Sequence, residues 1–174
     1  MATALHPSVD DVWHWLSEVP DPEIPVISLI DLGIIRDVGW QDDTLVVTVT
    51  PTYSGCPATT VINLDIERVL AEKGLDRVRL ERRLSPAWTT DWISAEGREK
   101  LRAYGIAPPI DGTAADGVLM KRIDRLAGRS NLTIACPRCG STATEKISQF
   151  GSTPCKASYR CTDCLEPFDY FKCI

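Results

Sequence analysis

Histidine is scarce in this chain: there are two in 174 residues, His6 and His14. Neither is close in sequence to a cysteine, which disfavours a cysteine hydrolase, whose nucleophile needs a base within hydrogen-bond reach. His14 reads as a packing or surface residue rather than a ligand. No apolar run approaches the roughly 18 residues that a membrane helix requires. The first residues, Met1-Ala2-Thr3-Ala4-Leu5-His6-Pro7-Ser8, lack the basic start and apolar stretch of a secretory signal, which predicts a cytoplasmic protein. A strong basic field is also missing. Residues 1–105 carry 17 acids and 10 bases, and residues 131–174 carry 5 bases and 4 acids, so nucleic acid is not the expected partner. What remains, 44% hydrophobic and 25% charged residues, is the composition of a globular protein with room for one ordinary domain and a small second module.

Cysteine is the residue that is present with a pattern. Seven is an odd number, which argues against a closed disulfide framework, and in a reducing compartment clustered thiols point to metal or catalysis. Four of them form two knuckles, Cys136-Pro137-Arg138-Cys139-Gly140 and Cys161-Thr162-Asp163-Cys164, with 21 residues between. Each short turn aims two sulfurs and several backbone N–H groups at one point, and Gly140 can take the positive φ that such a turn needs. Two such turns can close four thiolates around one tetrahedral ion, zinc first among the candidates. A pair of redox dithiols is disfavoured, because two of them seldom share one small β-rich module without an ion. An iron–sulfur cluster also takes four thiolates, so ligand type alone leaves that choice open, as it does a different four of the six C-terminal cysteines.

The order of elements reads as α+β. Ser8 caps a helix over 9–19, with Asp10 and Asp11 in its first turn and Val12, Trp15, Leu16 and Val19 as its apolar stripe. The run Asp21-Pro22-Glu23-Ile24-Pro25 stops it, and one helical turn is expected over 26–30. A hairpin follows, with strands 34–40 and 44–50. A second helix runs from Pro57 to about Lys73, with Ala58, Val61, Ile62, Ile66, Val69 and Leu70 on its apolar side and Gly74 ending it. Alternation at Val78 and Leu80 predicts a third strand, and a short helix spans 94–104. The expected division is an α+β domain over 1–105, a linker over 106–131 in which Val118 to Leu126 could dock on a neighbour, and a β-rich metal ribbon over 132–174.

Cys56 stands apart from the knuckles. In Pro51-Thr52-Tyr53-Ser54-Gly55-Cys56-Pro57 it joins a strand end to a helix start, at or beside the N-cap, where free N–H groups favour thiolate. Gly55 lets a bound group approach the backbone, and Thr52 and Ser54 supply hydroxyls. The two readings are a buried small hydrophobe and a transient ligand or carrier. Asp21, Glu23 and Asp31 are candidate carboxylate ligands beside it. Cys155 and Cys173 face each other if 155–160 and 166–173 pair as a hairpin, either as a second thiol pair or as two separate buried thiols. Trp40, Trp88 and Trp92 read either as core or as a contact surface.

The stretch from Asp21 to Ile35, followed by Thr50-Pro51-Thr52-Tyr53-Ser54-Gly55-Cys56-Pro57, resembles the small α+β domain shared by cytosolic iron–sulfur assembly factors and SufT-like proteins. That likeness covers roughly residues 8–105. The segment from Trp88 to Leu101, and the tail from Cys136-Pro-Arg-Cys139 through Gly151-Ser-Thr-Pro-Cys155-Lys to Cys161-Thr-Asp-Cys164-Leu-Glu-Pro-Phe-Asp-Tyr-Phe-Lys-Cys173, resemble the PaaD family of phenylacetate degradation. The resemblance implies a non-catalytic accessory subunit of a multicomponent phenylacetyl-CoA epoxidase. Its partners would be the oxygenase and reductase subunits, and it would help to install or repair an iron–sulfur cluster or a diiron site. The family's Gly-Cys-Pro cysteine maps onto Cys56, the transient ligand of a cluster or iron, and the zinc ribbon would select the client. A thiol oxidoreductase and a zinc-dependent adapter are the other readings. Assembly as a homodimer is left open.

Overall fold

The computed structural model describes residues 6–53, 55–110 and 133–172. They form a mixed α+β structure that divides into two compact units, Met1–Trp88 and Thr89–Ile174. Among the described residues, no helix is long and apolar enough to cross a membrane.

In the first unit α1 (Val9–Ser17) begins at the predicted cap. The Ser8 hydroxyl accepts from Asp11 N–H at 3.1 Å, and Asp11 Oδ2 accepts in return from Ser8 N–H at 3.2 Å. This is a capping box with aspartate in the place usual for glutamate. The helix buries Val12 and Leu16, and Val19 just beyond it is also buried. The expected helical turn lies later than 26–30, since Leu32 N–H donates to Ser28 O at 3.0 Å and the Ser28 hydroxyl caps Asp31 N–H at 3.1 Å.

Strands β1 (Ile35–Gln41) and β2 (Thr44–Val49) form the predicted hairpin, closed by Gln41 opposite Thr44 with Asp42 at a φ of 52°. Helix α2 (Thr59–Glu72) carries the chain across to β3 (Val78–Arg82), which lies parallel to β2, so the sheet order is β1-β2-β3. A parallel neighbour requires such a crossover. β2 is the middle strand, paired on both edges, and it is buried on both faces: Val46 and Thr48 are buried along with Leu45, Val47 and Val49. Helix α2 starts two residues later than Pro57 and buries Ile62, Ile66 and Leu70, while Val61 is turned to solvent. Gly74, at a φ of 84°, ends it as predicted: Gly74 N–H donates to Ala71 O and Leu75 N–H to Leu70 O.

The second unit opens with a 3-10 turn (Thr90–Trp92) and α3 (Ala95–Tyr104), capped by Ser94 and ended by Gly105 at a φ of 95°. Directly after it β4 (Ile106–Ala107) pairs in parallel with β7 (Pro167–Phe171). The sheet continues through β6 (Lys156–Cys161) to β5 (Thr144–Ser148), in the order β4-β7-β6-β5. Packing therefore divides the chain differently from the expected 1–105, 106–131 and 132–174. Ile106 and Ala107, expected as the start of a linker, are buried and complete the edge of the ribbon sheet. The rest of that expected linker, with Val118 to Leu126, lies outside the described residues. The core of this unit gathers Ala107, Ile134, Ala157, Tyr159, Phe168 and Tyr170 with two of the knuckle cysteines, Cys136 and Cys161.

Candidate metal centre and the Cys56 loop

Each knuckle is held in shape by backbone hydrogen bonds. In the first, Gly140 takes the predicted positive φ, 75°, so that its N–H reaches Cys136 O at 2.9 Å, and Cys136 N–H donates to Ser141 O at 2.8 Å. In the second, Cys161 N–H donates to Glu166 O at 2.9 Å and Leu165 takes a φ of 64°. Thr162 N–H and hydroxyl both donate to Ala143 O, which ties the second knuckle to the strand leaving the first.

These turns bring the sulfurs of Cys136, Cys139, Cys161 and Cys164 within 4.8 Å of one another. Two pairs bridge the knuckles, Cys136 to Cys164 at 3.7 Å and Cys139 to Cys161 at 3.6 Å. A tetrahedron with metal–sulfur bonds of about 2.3 Å has sulfur–sulfur edges of about 3.8 Å, so the four donors fit an ion of that size. Their electrostatics agree. Backbone N–H of Cys164 leads the groups that bring the Cys161 thiol down, to about 7. Cys164 is pushed up to about 12: the Glu166 N–H favours its thiolate, but partial desolvation and the three neighbouring thiols outweigh it. Cys139 is raised as well, despite N–H donation from Ser141, by partial desolvation and by Cys161 and Cys136. Four thiolates this close need a cation to neutralise them. Among the described residues this is the one group of three or more Cys, His, Asp or Glu side chains close enough to share an ion.

Cys155 is not part of that group. It is buried, with the Thr153 hydroxyl 3.0 Å from its sulfur. β6 and β7 pair as the expected hairpin, with Lys156 opposite Phe171 and Arg160 opposite Pro167, a register that continues to Lys172 rather than Cys173 across from Cys155. Lys172 N–H donates to Cys155 O at 3.0 Å, and Cys173 lies outside the described residues. Sequence reasoning missed the next position. Lys156 is 5% exposed, with its ammonium 3.8 Å from Asp169 Oδ2. Asp169 also accepts from the hydroxyls of Ser152 at 2.9 Å and Ser158 at 3.4 Å. A Cβ added at Gly151 would lie 2.7 Å from Asp169 Oδ1, which gives Gly151-Ser-Thr-Pro-Cys-Lys a packing reason.

Cys56 sits in the loop between β2 and α2, half-buried and three residues before the helix. The N-cap is Ala58 and makes no side-chain capping bond, so the expected place at the cap is corrected. Cys56 N–H donates to Tyr53 O at 3.1 Å, and its carbonyl accepts from the Thr59 hydroxyl at 2.9 Å and N–H at 3.3 Å. Ser54 lies outside the described residues. Gly55 beside it is exposed, and among the described residues an added Cβ would meet nothing closer than Tyr53 Cε2 at 3.9 Å. The carboxylates thought of as co-ligands are engaged in turns. Asp21 Oδ1 accepts from Glu23 and Ile24 N–H at 2.9 and 2.8 Å, and Asp31 Oδ2 accepts from the Ser28 hydroxyl at 2.9 Å. Trp88 belongs to the core, 3% exposed and donating from Nε1 to Leu32 O at 2.9 Å. Trp40 and Trp92 are half-buried.

Two family models match the chain: an iron–sulfur cluster assembly protein over residues 9–79, and the PaaD zinc beta ribbon domain over residues 122–172. A putative 1,2-phenylacetyl-CoA epoxidase subunit from Escherichia coli (strain K12) is 46% identical over 174 residues, which is 100% of this chain and 98% of that protein. An Fe-S protein maturation auxiliary factor from Porphyromonas gingivalis is 38% identical over 94 residues, 53% of this chain and 89% of that one. A domain of unknown function from Bacillus anthracis, solved by crystallography, is 25% identical with a TM-score of 0.49, covering 53% of this chain and 89% of its own.

Proposed function

The chain belongs to the PaaD family of phenylacetyl-CoA epoxidase subunits, and from that premise we propose that it is a non-catalytic maturation factor of such an epoxidase. In this reading it acts on a partner subunit, assisting assembly or repair of an iron–sulfur cluster or of a diiron site. Cys56 is the transient ligand of the cluster or iron in transit. Cys136, Cys139, Cys161 and Cys164 hold a structural Zn2+ that shapes the second unit. The partners are the oxygenase and reductase subunits of the same system.

The observation that carries this reading is the unlike setting of the two thiol sites. Four sulfurs at tetrahedral spacing can retain an ion permanently. Cys56 belongs to no group of three or more ligand side chains among the described residues. One thiol in an accessible loop can share an ion with a partner and then release it, which suits delivery rather than storage. The ion or cluster is thus the cargo, and the work of the chain's own residues is to present Cys56 and leave space beside it at Gly55.

The test is Cys56→Ser in cells growing on phenylacetate. The client subunit should accumulate without its metal cofactor while still co-purifying with this protein. Normal cofactor loading would refute the role of Cys56 and leave the adapter reading. Turnover in an iron-free dithiol assay would instead favour the oxidoreductase.

A further inference from the structure

β3 lies at one edge of the first sheet, and its ladder decides which backbone groups look outward. Leu45 N–H donates to Arg77 O at 2.8 Å, and Arg83 N–H donates to Val49 O at 2.9 Å. The odd-numbered residues from 77 to 83 thus turn their backbone groups toward β2. Alternation along the strand then directs the N–H and C=O of Val78 and Leu80 to the outer edge. Among the described residues no other strand pairs there. A bare edge of this kind is a template for another chain.

The same stretch concentrates one charge. Residues 77–83 hold Arg77, Arg79, Arg82 and Arg83 against Glu81, within a chain of net charge −5. Over residues 1–105 the more numerous acids elsewhere outweigh this local excess of cations. Arg77 pairs with Asp43 at 3.3 Å and Arg79 with Glu81 at 3.0 Å, both at the surface. Arg83 makes no ion pair among the described residues. Residues 81–87 are all exposed, including Leu84 at 52%.

We propose that the outer edge of β3 takes up an extended acidic segment of a partner protein as a fourth strand. Its backbone bonds to Val78 and Leu80, and its carboxylates meet Arg79 and Arg83. The interspersed Glu81 and the neighbouring Asp76 and Asp43 break up the field that a row of nucleic-acid phosphates would need. They leave discrete cations that alternate acidic side chains can meet. The main-chain bonds supply affinity, and the arginines set direction and salt dependence. This surface does not involve Cys56 and stands or falls separately from the maturation reading.

The probe is a fluorescein-labelled nine-residue peptide of alternating glutamate and valine, followed by anisotropy with the full chain. Saturable binding is expected, weakened by salt, unchanged by Cys56→Ser and about fivefold or more weaker with Arg83→Glu. Since Arg83 gives up no ion pair among the described residues, its reversal should leave the circular dichroism spectrum unchanged. A peptide N-methylated at alternate amides keeps its charge but loses its donors, and should bind at least about tenfold more weakly. Equal binding of the methylated peptide would overturn strand addition. Tighter binding of a single-stranded oligonucleotide of equal charge would make this a nucleic-acid surface instead, and absence of peptide binding at millimolar concentration would end the proposal.

Discussion

Replacing Gly55 with alanine separates what the fold needs from what a bound group needs. Among the described residues the added methyl would meet only the Tyr53 ring, at 3.9 Å, which is ordinary van der Waals contact. The residue is exposed, and its φ is outside the left-handed region that strains an alanine. The folded state therefore loses nothing, while the unfolded chain loses freedom, which stabilises by about 0.4–1 kcal/mol. For a unit of this size that corresponds to a rise in Tm of about 2–8 °C. Function should move the opposite way, because a methyl at the loop tip obstructs whatever docks against Cys56. The assay pairs a thermal melt with the fraction of client subunit that acquires iron, read from its visible absorbance. A more stable protein with impaired loading is the expected outcome. A Tm several degrees lower would refute the packing argument, and wild-type loading would refute close approach to Gly55.

Stripping the ribbon with a strong chelator should make residues 133–172 protease-sensitive while Met1–Trp88 stays resistant, because metal binding supplies much of the folding free energy of such a module; a tail as resistant as before would contradict the metal assignment. Zinc rebinding should weaken as pH falls. Near pH 8 the raised Cys139 and Cys164, the latter near 12, carry protons that the ion must displace, so affinity should drop by at least about a hundredfold per pH unit, and more steeply below 7 once Cys161 protonates. Competition with a chromophoric chelator across that range measures it, and a flat profile would contradict it. Gly151→Ala should destabilise the second unit by about 1–3 kcal/mol through overpacking against Asp169. Asp169→Ala should cost more, about 3–5 kcal/mol, since Lys156 is left buried without its counter-charge. Chemical denaturation with zinc in excess reads both.

Features that depend on a few neighbouring residues were legible from the chain. Ser8 with Asp11, Gly74, Gly140 and the turn at Asp42 each satisfy or strain backbone groups nearby, so their chemistry announces them. The knuckles were legible for the same reason. Some misplacements arose where distant residues decide, and others where a short-range bond competes with helix or ligand geometry. Pro57 suits a first helical turn, yet the helix waits for Thr59 because Cys56 O is taken by Thr59 in a preceding turn. Ile106-Ala107 is a strand only because β7 offers an edge some sixty residues later. The burial of Lys156 needed its cross-sheet partner Asp169 to be known. Asp21 and Asp31 spend their oxygens on turns two or three residues away, a local motif that Asp21-Pro-Glu-Ile and Ser28-Leu-Ile-Asp31 already carried.

The four knuckle sulfurs are not equivalent toward the surroundings. Cys136 and Cys161 are sunk among aromatic and aliphatic side chains, 2% and 0% exposed, whereas Cys139 and Cys164 face water. An ion held among them has a sheltered side and a weather side. Peroxide or a competing scavenger would therefore meet Cys139 and Cys164 first, the two donors on the open side.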